Sequence, residues 1–235
     1  MTTVHYGVVL RTRAATWAYV AALAVAEAVV WSLSPEHKAR VVGWVSTNVA
    51  NLSHHPVGSL AASALVPDSY PVVWVGLAVV AVLPVNALLG NRRTVLLFVL
   101  LHLLGTLVSE GVVAWRLAHA ALPEAARHQL DTGPSFVLVP GLVLVVLFGT
   151  WWWRPIAAVG MWGLWPYLFV GLGRLEVAAV GHVTVMVLAV PLFLLLRRGH
   201  VPATGRPVPE GVVPEGAVPE GVVPADASAT EPLTP

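Results

Sequence analysis

"PVVWVGLAVVAVLPVNALLGNRRTVLLFVLLHLLGTLVSEGVVAWR", residues 71–116, consists of two apolar runs on either side of a short polar segment that contains Arg92 and Arg93. The runs cover residues 71–89 and 94–114. Each run is close to the ~20 residues with which an α-helix crosses a bilayer. This stretch therefore predicts two consecutive membrane-spanning helices.

The composition of the whole chain is that of an integral membrane protein. Of its 235 residues 57% are hydrophobic and 11% are charged, whereas about a quarter of a soluble domain is charged. Because the apolar residues form long blocks, we predict an all-α, polytopic membrane protein in contact with the lipid bilayer. The net charge of +1 argues against a nucleic-acid partner, and the absence of cysteine excludes disulfides, thiolate zinc sites and cysteine nucleophiles.

Six membrane spans are predicted along the chain. The first follows Arg11 and Arg13 as a signal peptide would, but it is longer than a signal's apolar region, so we expect a retained helix. Little more than Arg154-Pro155 separates the fourth span from the fifth, and since proline continues a helix poorly, we place the break there. The predicted spans are 14–33, 71–89, 94–114, 134–153, 155–173 and 175–196.

The cationic residues are divided unevenly between the two ends of these spans. Eight lie on the side of the N-terminus, whereas the other side has five, which are offset by acidic residues in the same loops. The positive-inside rule therefore places both termini in the cytoplasm of a multi-pass plasma-membrane protein, with residues 1–13 as a cytoplasmic N-terminus and 14–198 as the membrane domain. The cations on the predicted cytoplasmic side are Arg11, Arg13, Arg92, Arg93, Arg154, Arg197, Arg198 and Arg206.

The first outer loop, residues 34–70, is not a simple connection. Its stretch "NLSHHPVGSLAASALV" is too polar to span a bilayer and too apolar to lie free in water, so we expect a partly immersed, interfacial or re-entrant element. The paired His54 and His55 have no acidic cluster nearby, so we expect no metal site. Nothing else in the chain indicates a cofactor.

The C-terminal tail, residues 199–235, differs in kind from the membrane domain. Its segment "VPEGVVPEGAVPEGVVPA" repeats a five-residue unit three times. Regular proline blocks helix formation and the glutamates keep the segment solvated, so we predict a disordered cytoplasmic tail. A linker without specific function is favoured over a binding module.

Ionisable and hydroxyl side chains inside the predicted spans mark the candidate site. Such residues are costly in a membrane and usually face the interior of a helix bundle. At a rise of ~1.5 Å per residue, Glu27, Glu110 and His182 lie in one layer of the outer half, where Ser135 opens the fourth span. His102 lies about two turns deeper.

This layer has two interpretations. In the first, a protonated Glu27 or Glu110 hydrogen-bonds a histidine and locks the bundle, while Ser135 only caps the fourth helix. In the second, Ser135 is a nucleophile and His182 is its general base, in a pocket that opens outward. Spacing alone favours the first interpretation.

Four motifs give the chain a resemblance to the rhomboid family over roughly residues 40–198. "HHPVGSLAASAL" looks like the His-Pro stretch before the second helix of bacterial rhomboids, and "ALLGNRRTVLLFVLLHLLG" resembles their turn between helices two and three. "DTGPSF" is similar to the Gly-x-Ser-Gly motif, with Gly133 and Ser135 matching, and "GHVTVMVLA" resembles the helix-six histidine stretch, with His182 matching. "LDTGPSF" also looks like the Leu-Asp-x-Gly-x-Ser-aromatic motif of actinobacterial rhomboid-like proteins.

The resemblance implies a six-helix rhomboid-like bundle and, as its activity, intramembrane serine proteolysis of membrane-anchored proteins. In such a site a histidine takes the serine proton, the alkoxide attacks a peptide bond and hydrogen-bond donors stabilise the oxyanion. The matching residues make Ser135 the expected nucleophile and His182 the expected general base. Glu110 matches no motif of the family, and our hypothesis is that it orients His182.

Departures from the family's pattern leave a second function open. Phe136 replaces the glycine after the nucleophile, and "SYPVVWVGLAVVA" lacks the His-x-x-x-Asn motif whose side chains help to form the oxyanion hole. Loss of one such donor costs ~10²–10³ in rate. The alternative is a rhomboid-like pseudoprotease that binds transmembrane segments of other proteins without cutting them. Other donors over the serine, such as the backbone N–H of Ser135 or the side chains of Asn51 and His54, would favour the protease, whereas a Phe136 ring that fills this space would favour the pseudoprotease.

Overall fold

The apolar runs fold into helices in the computed structural model, which describes residues 12–67 and 71–198. Within these residues there are nine α-helices and no strand, which confirms the predicted all-α fold. The predicted tail 199–235 and most of the segment 1–13 lie outside the described residues. The helices are α1 (Ala14–Ser32), α2 (Pro35–Val45), α3 (Val49–His54), α4 (Pro56–Ser63), α5 (Pro71–Leu89), α6 (Asn91–Ala118), α7 (Ser135–Phe148), α8 (Trp153–Leu168) and α9 (Val177–Arg197).

Four of the helices, α1, α5, α6 and α9, are long and apolar enough to cross a membrane. The predicted spans 134–153 and 155–173 form the shorter helices α7 and α8, of 14 and 16 residues. At ~1.5 Å per residue both are shorter than the ~30 Å hydrocarbon core of a bilayer. Of the six predicted spans, four are therefore supported by helix length and composition.

The break between α7 and α8 lies earlier in the chain than predicted. α7 ends at Phe148, and the chain turns at Gly149, where an added Cβ would lie 2.5 Å from the carbonyl oxygen of Val145. α8 then begins at Trp153, so Pro155 lies in its first turn. A missing N–H costs nothing there, because the first turn of a helix has no internal acceptors for its N–H groups. Pro155 was therefore wrongly predicted to be the helix breaker.

The short helix α7 is the centre of the bundle. It packs against α5, α6, α8 and α9, and nearly all of its residues from Phe136 to Val145 are buried. At Gly141 an added Cβ would lie 2.9 Å from the Cβ of Ala81, so α5 and α7 approach closely where both residues are small. A helix surrounded by other helices does not have to match the thickness of the bilayer.

A buried polar cluster fastens the N-terminal end of α1 to its neighbours. The side-chain amide of Asn86 on α5 donates to the hydroxyl of Thr16 at 2.8 Å and to the side-chain oxygen of Asn91 at 3.0 Å. Asn91, at the start of α6, also accepts from the backbone N–H of Ala15 at 3.2 Å. These hydrogen bonds join α1, α5 and α6 at one end of the bundle.

The predicted re-entrant loop forms the three short helices α2, α3 and α4 and is hydrogen-bonded to the bundle. His102 on α6 contacts the carbonyl oxygen of Leu60 at 2.9 Å through Nε2, and the N–H of Gly133 donates to the carbonyl oxygen of Ser63 at 2.9 Å. These contacts hold the loop beside the start of α7. The immersion of the loop in a membrane stays a prediction.

Candidate functional site

Ser135 is placed by the turn that precedes α7. Gly133 has φ +123°, a conformation that favours glycine. Pro134 occupies the N-cap position without a side-chain cap, and Ser135 is the first helical residue and is half-buried. The prediction that Ser135 caps the fourth helix is therefore wrong, because the serine lies one residue beyond the cap.

His182, on α9, is buried, with 7% of its surface exposed. Its Nδ1 lies 3.1 Å from the carbonyl oxygen of Leu168. Because a carbonyl oxygen only accepts, Nδ1 carries the proton and Nε2 presents a lone pair. Nε2 is buried and has no hydrogen-bond partner, so Ser135 and His182 do not form a hydrogen-bonded dyad in this structure.

The ring of Phe136 occupies the space beside His182. Its centroid lies 5.5 Å from that of His182, with the rings nearly perpendicular, and 6.2 Å from that of His102. The ring is 3% exposed and lies between Gly105 on α6 and Gly181 on α9. A Cβ on Gly181 would overlap the ring, and one on Gly105 would lie 3.2 Å from its Cδ2. Phe136, which replaces the glycine of the family motif, thus fits because the two residues that face it on α6 and α9 are glycines.

Glu110, the third predicted site residue, faces the loop helices instead of His182. It is buried, interacts with the backbone N–H of Val49 and lies close enough to Asp131 for their charges to interact. Its Oε1 has no hydrogen-bond partner. Since Leu168 accepts the one hydrogen bond of His182, Glu110 does not orient that histidine in this structure.

Glu27 lies apart from the other polar residues of the predicted layer. It is buried against α5, in a cleft whose other walls are apolar. The structure thus brings His102 and His182 together around Phe136, places Glu110 next to Asp131, and leaves Glu27 on another side of the bundle.

Asn51 is already used as a hydrogen-bond donor elsewhere. Its side-chain amide donates to the carbonyl oxygens of Gly43 at 2.8 Å, Trp44 at 3.2 Å and Ser46 at 2.8 Å. These carbonyls belong to the C-terminal end of α2, which has no internal donors for them. His54 is exposed at the end of α3. Neither residue supplies the donor over Ser135 that would favour a protease.

A serine–histidine pair that the sequence did not indicate joins α4 to α6. The hydroxyl of Ser63 lies 3.1 Å from Nε2 of His102. The same Nε2 contacts the carbonyl oxygen of Leu60, so Nε2 carries the proton and cannot accept the proton of Ser63. This pair therefore fastens the loop and has no activated hydroxyl. Within the described residues no three histidine or acidic side chains are grouped as metal ligands.

A second feature missed from the sequence is the loop clamp, which consists of Ser46, Thr47 and Asp131. The N–H of Asp131 donates to the hydroxyl of Ser46 at 2.9 Å. The N–H and hydroxyl of Thr47 both donate to the carbonyl oxygen of Asp131, at 2.9 and 3.1 Å. Ser46 and Thr47 are buried. The one sequence feature that could have indicated the loop clamp is the polar triplet between Val45 and Val49.

Burial of the loop clamp raises the pKa of Asp131 from 3.8 to about 6, although the hydrogen bond from Thr47 opposes the change. An acid whose pKa rises on folding favours its neutral form in the folded protein. We therefore expect the free energy of unfolding to be highest below about pH 4 and to fall as the pH rises through about 6. Thermal unfolding in detergent across this range measures the effect.

Asp131→Asn should flatten this pH profile, since the amide keeps the shape of the side chain and does not titrate. Glu36→Gln, which changes an exposed carboxyl on α2, is the matched control and should leave the profile unchanged. A profile that stays steep in Asp131→Asn would assign the titration to another group, of which Glu110 is the nearest candidate.

Comparison with known proteins agrees with this architecture. A family model described as rhomboid-like protein matches residues 8–202. The chain matches no curated protein and no solved structure at a significant level. The matched range includes all the described helices, with both Ser135 and His182. The chain therefore belongs to the rhomboid-like protein family.

Proposed function

We propose that this rhomboid-like membrane protein is a pseudoprotease, which binds transmembrane segments of other proteins without cutting them. The observation that carries the proposal is the position of the Phe136 ring, which is buried against His182 and enclosed by Gly105 and Gly181. A general base must come within about 2.6–3.2 Å of the hydroxyl that it deprotonates. The imidazole of His182 instead packs against this ring, and its Nε2 has no partner.

The positions of the side chains expected to donate to an oxyanion also support the proposal. Asn51 is engaged with the end of α2, and the sequence has no second-helix donor motif. Donors to the oxyanion commonly supply the largest electrostatic contribution to acyl-transfer catalysis. A serine with neither a paired base nor aligned donors is not activated.

Binding of transmembrane segments is supported by two clefts that flank α1. One, of about 580 Å³, lies between α1, α4 and α6, and the other, of about 560 Å³, lies between α1 and α5. Their walls are almost entirely apolar, as a surface that contacts an apolar transmembrane helix must be. α1 is also rich in alanine, which allows another helix to approach closely.

A serine protease is the second candidate, and the tautomer of His182 favours it. Its Nδ1–H is held by Leu168, which leaves the lone pair of Nε2 free to accept a proton. Catalytic hydrogen bonds often tighten only when substrate binds. In this candidate Ser135 is the nucleophile, His182 the general base and Glu110 a positioning residue. It requires Phe136 to leave its pocket.

The cellular setting follows from the sequence. The arginine distribution supports a plasma-membrane protein with both termini in the cytoplasm. The mixed polarity of residues 34–70 supports a partly immersed first outer loop, and the proline repeat supports a disordered tail over 199–235. α7 and α8 complete a bundle of six membrane-embedded helices. The "LDTGPSF" motif supports a place among the actinobacterial members of the family.

Covalent labelling with a fluorophosphonate serine probe tests the proposal. We expect the wild-type protein, shown to be folded in a bilayer, to be labelled no more than Ser135→Ala. A second arm uses Phe136→Gly, which restores the glycine of the family motif and tests whether the ring alone blocks Ser135. Wild-type labelling that disappears in both Ser135→Ala and His182→Ala would overturn the pseudoprotease and establish an activated serine.

A further inference from the structure

A carboxyl with one unpartnered oxygen lies in the cleft between α1 and α5, which we call the α1/α5 cleft. Glu27 is 3% exposed, and its Oε1 has no hydrogen-bond partner among the described residues. An unpaired polar group in hydrocarbon costs several kcal/mol. The cleft is lined by Ala24, Glu27, Ala28 and Trp31 of α1 and by Val72, Val75 and Gly76 of α5.

The walls of the α1/α5 cleft permit another helix to approach Glu27. Ala24 and Ala28 lie one turn apart on α1, and Gly76 faces them from α5. An added Cβ on Gly76 would meet no atom within 4 Å, and Gly76 and Ala28 are both exposed. Small residues of this kind allow the close backbone contact through which membrane helices associate.

The titratable groups nearest to Glu27 in the described residues are engaged with other partners. Tyr19, two turns away on α1, donates its hydroxyl to the carbonyl oxygen of Ala64 at 3.0 Å. Lys38 lies over the ring of Trp31, 4.0 Å from its centroid. A partner for the carboxyl must therefore come from outside the described part of the chain.

From these observations we propose that the α1/α5 cleft binds a transmembrane helix of another protein that carries a lysine or arginine at the level of Glu27. The inference rests on the proposed function, because it specifies the transmembrane segments that the protein binds. Glu27 precedes the end of α1 by five residues, or about 7–8 Å, a depth from which a long basic side chain also reaches the membrane surface. Acidic and basic residues inside membranes pair with one another.

A second copy of this chain does not fit the α1/α5 cleft. In the described spans and in α8, lysine is absent and every arginine lies within three residues of a helix end. Arg116 comes nearest to the required depth, but it donates to the carbonyl oxygen of Arg174 at 2.7 Å. Since no basic residue of the described helices fits, we assign the basic residue to a different protein.

The test measures binding of synthetic transmembrane helices to the full-length protein in phosphatidylcholine vesicles. One leucine–alanine helix carries a lysine five residues from its end, and the matched helix carries leucine there. Because the chain has no cysteine, one introduced cysteine supplies a fluorescent donor, and energy transfer to a labelled helix reports binding. Zwitterionic lipid avoids attraction of the lysine to the membrane surface.

We expect the lysine helix to bind the wild-type protein about fivefold to thirtyfold more tightly than the leucine helix, as for hydrogen bonds between model membrane helices. Glu27→Gln should reduce the preference for the lysine helix. Gly76→Leu fills the α1/α5 cleft and should therefore weaken the binding of both synthetic helices. Gly163→Leu is the matched control, because Gly163 is also an exposed glycine, on α8, and an added Cβ there would meet no atom within 4 Å. This variant should bind both synthetic helices as the wild-type protein does.

The outcomes separate this inference from the proposed function. Equal binding of the two helices, or a lysine preference that Glu27→Gln leaves intact, overturns the role of Glu27 but leaves a protein that binds transmembrane segments. Absence of binding by either helix counts against both proposals. Binding that Gly163→Leu weakens as much as Gly76→Leu would place the contact outside the α1/α5 cleft and overturn the inference.

Discussion

Phe136→Ala is expected to lower the free energy of unfolding by about 3–5 kcal/mol, the usual cost of removing a buried aromatic ring. The ring is 3% exposed and fills the space between α6 and α9, where Gly105 and Gly181 supply no side chain to close a cavity. Denaturant unfolding in detergent, followed by helix content, measures the change. Trp162→Ala removes a ring that is 78% exposed on α8 and should change stability by less than about 0.5 kcal/mol.

Gly181→Ala tests whether the glycine and the ring depend on each other. In the wild-type protein the added methyl overlaps Phe136, and overpacking of this kind costs about 1–3 kcal/mol. In the Phe136→Ala background the same methyl enters the cavity, so its cost should disappear. Additive effects in this double-mutant cycle would contradict the packing of Phe136 against Gly181.

The stabilisation supplied by Phe136 bears directly on the question of activity. If displacing the ring costs as much as removing it, about 3–5 kcal/mol, the displaced form is populated two to four orders of magnitude less than the packed form. Substrate binding would have to supply this free energy before Ser135 meets His182. A protein that only binds transmembrane segments has no such requirement.

The features predicted correctly from the sequence depend on local patterns. The long apolar runs identified α1, α5, α6 and α9, since crossing a membrane requires a minimum helix length. The failure at Pro155 is also local, because the cost of proline depends on its distance from the helix start.

The arrangement of the site could not be predicted, because it depends on how the helices are rotated about their axes. The rise per residue estimated the depths of Glu27, Glu110 and His182, but depth does not determine which neighbour a side chain faces. The three residues face α5, the loop helices and Leu168 respectively. The pocket of Phe136 is formed by Gly105 and Gly181, which are distant from it in the chain, so no local pattern reveals it.

Asn51→Ala is expected to lower the free energy of unfolding by about 1–3 kcal/mol, the cost of leaving hydrogen-bonding groups without partners. The side-chain amide of Asn51 serves the carbonyl oxygens of Gly43, Trp44 and Ser46, which α2 cannot satisfy internally. Hydrogen exchange should accelerate in α2 and α3, because the carbonyl oxygens of Gly43 and Ser46 lose the side-chain donor that caps the end of α2, and His55 still contacts only that of Trp44. Thermal unfolding measures the global effect.

Asn51→Asp and Ser53→Ala test whether the effect comes from the hydrogen bonds that the Asn51 amide donates to α2. Asn51→Asp keeps the size of the side chain but points a carboxylate at three carbonyl oxygens, so it should destabilise at least as much as alanine. Ser53→Ala changes an exposed residue of the same helix α3, whose hydroxyl donates within the helix to the carbonyl oxygen of Ala50 at 2.7 Å, and should change stability by less than about 0.5 kcal/mol. If Asn51→Ala left stability and exchange unchanged, Asn51 would be free to turn toward Ser135 as an oxyanion donor. The side-chain amide of Asn51, which donates to the end of α2 in this structure, would then support the protease as the function.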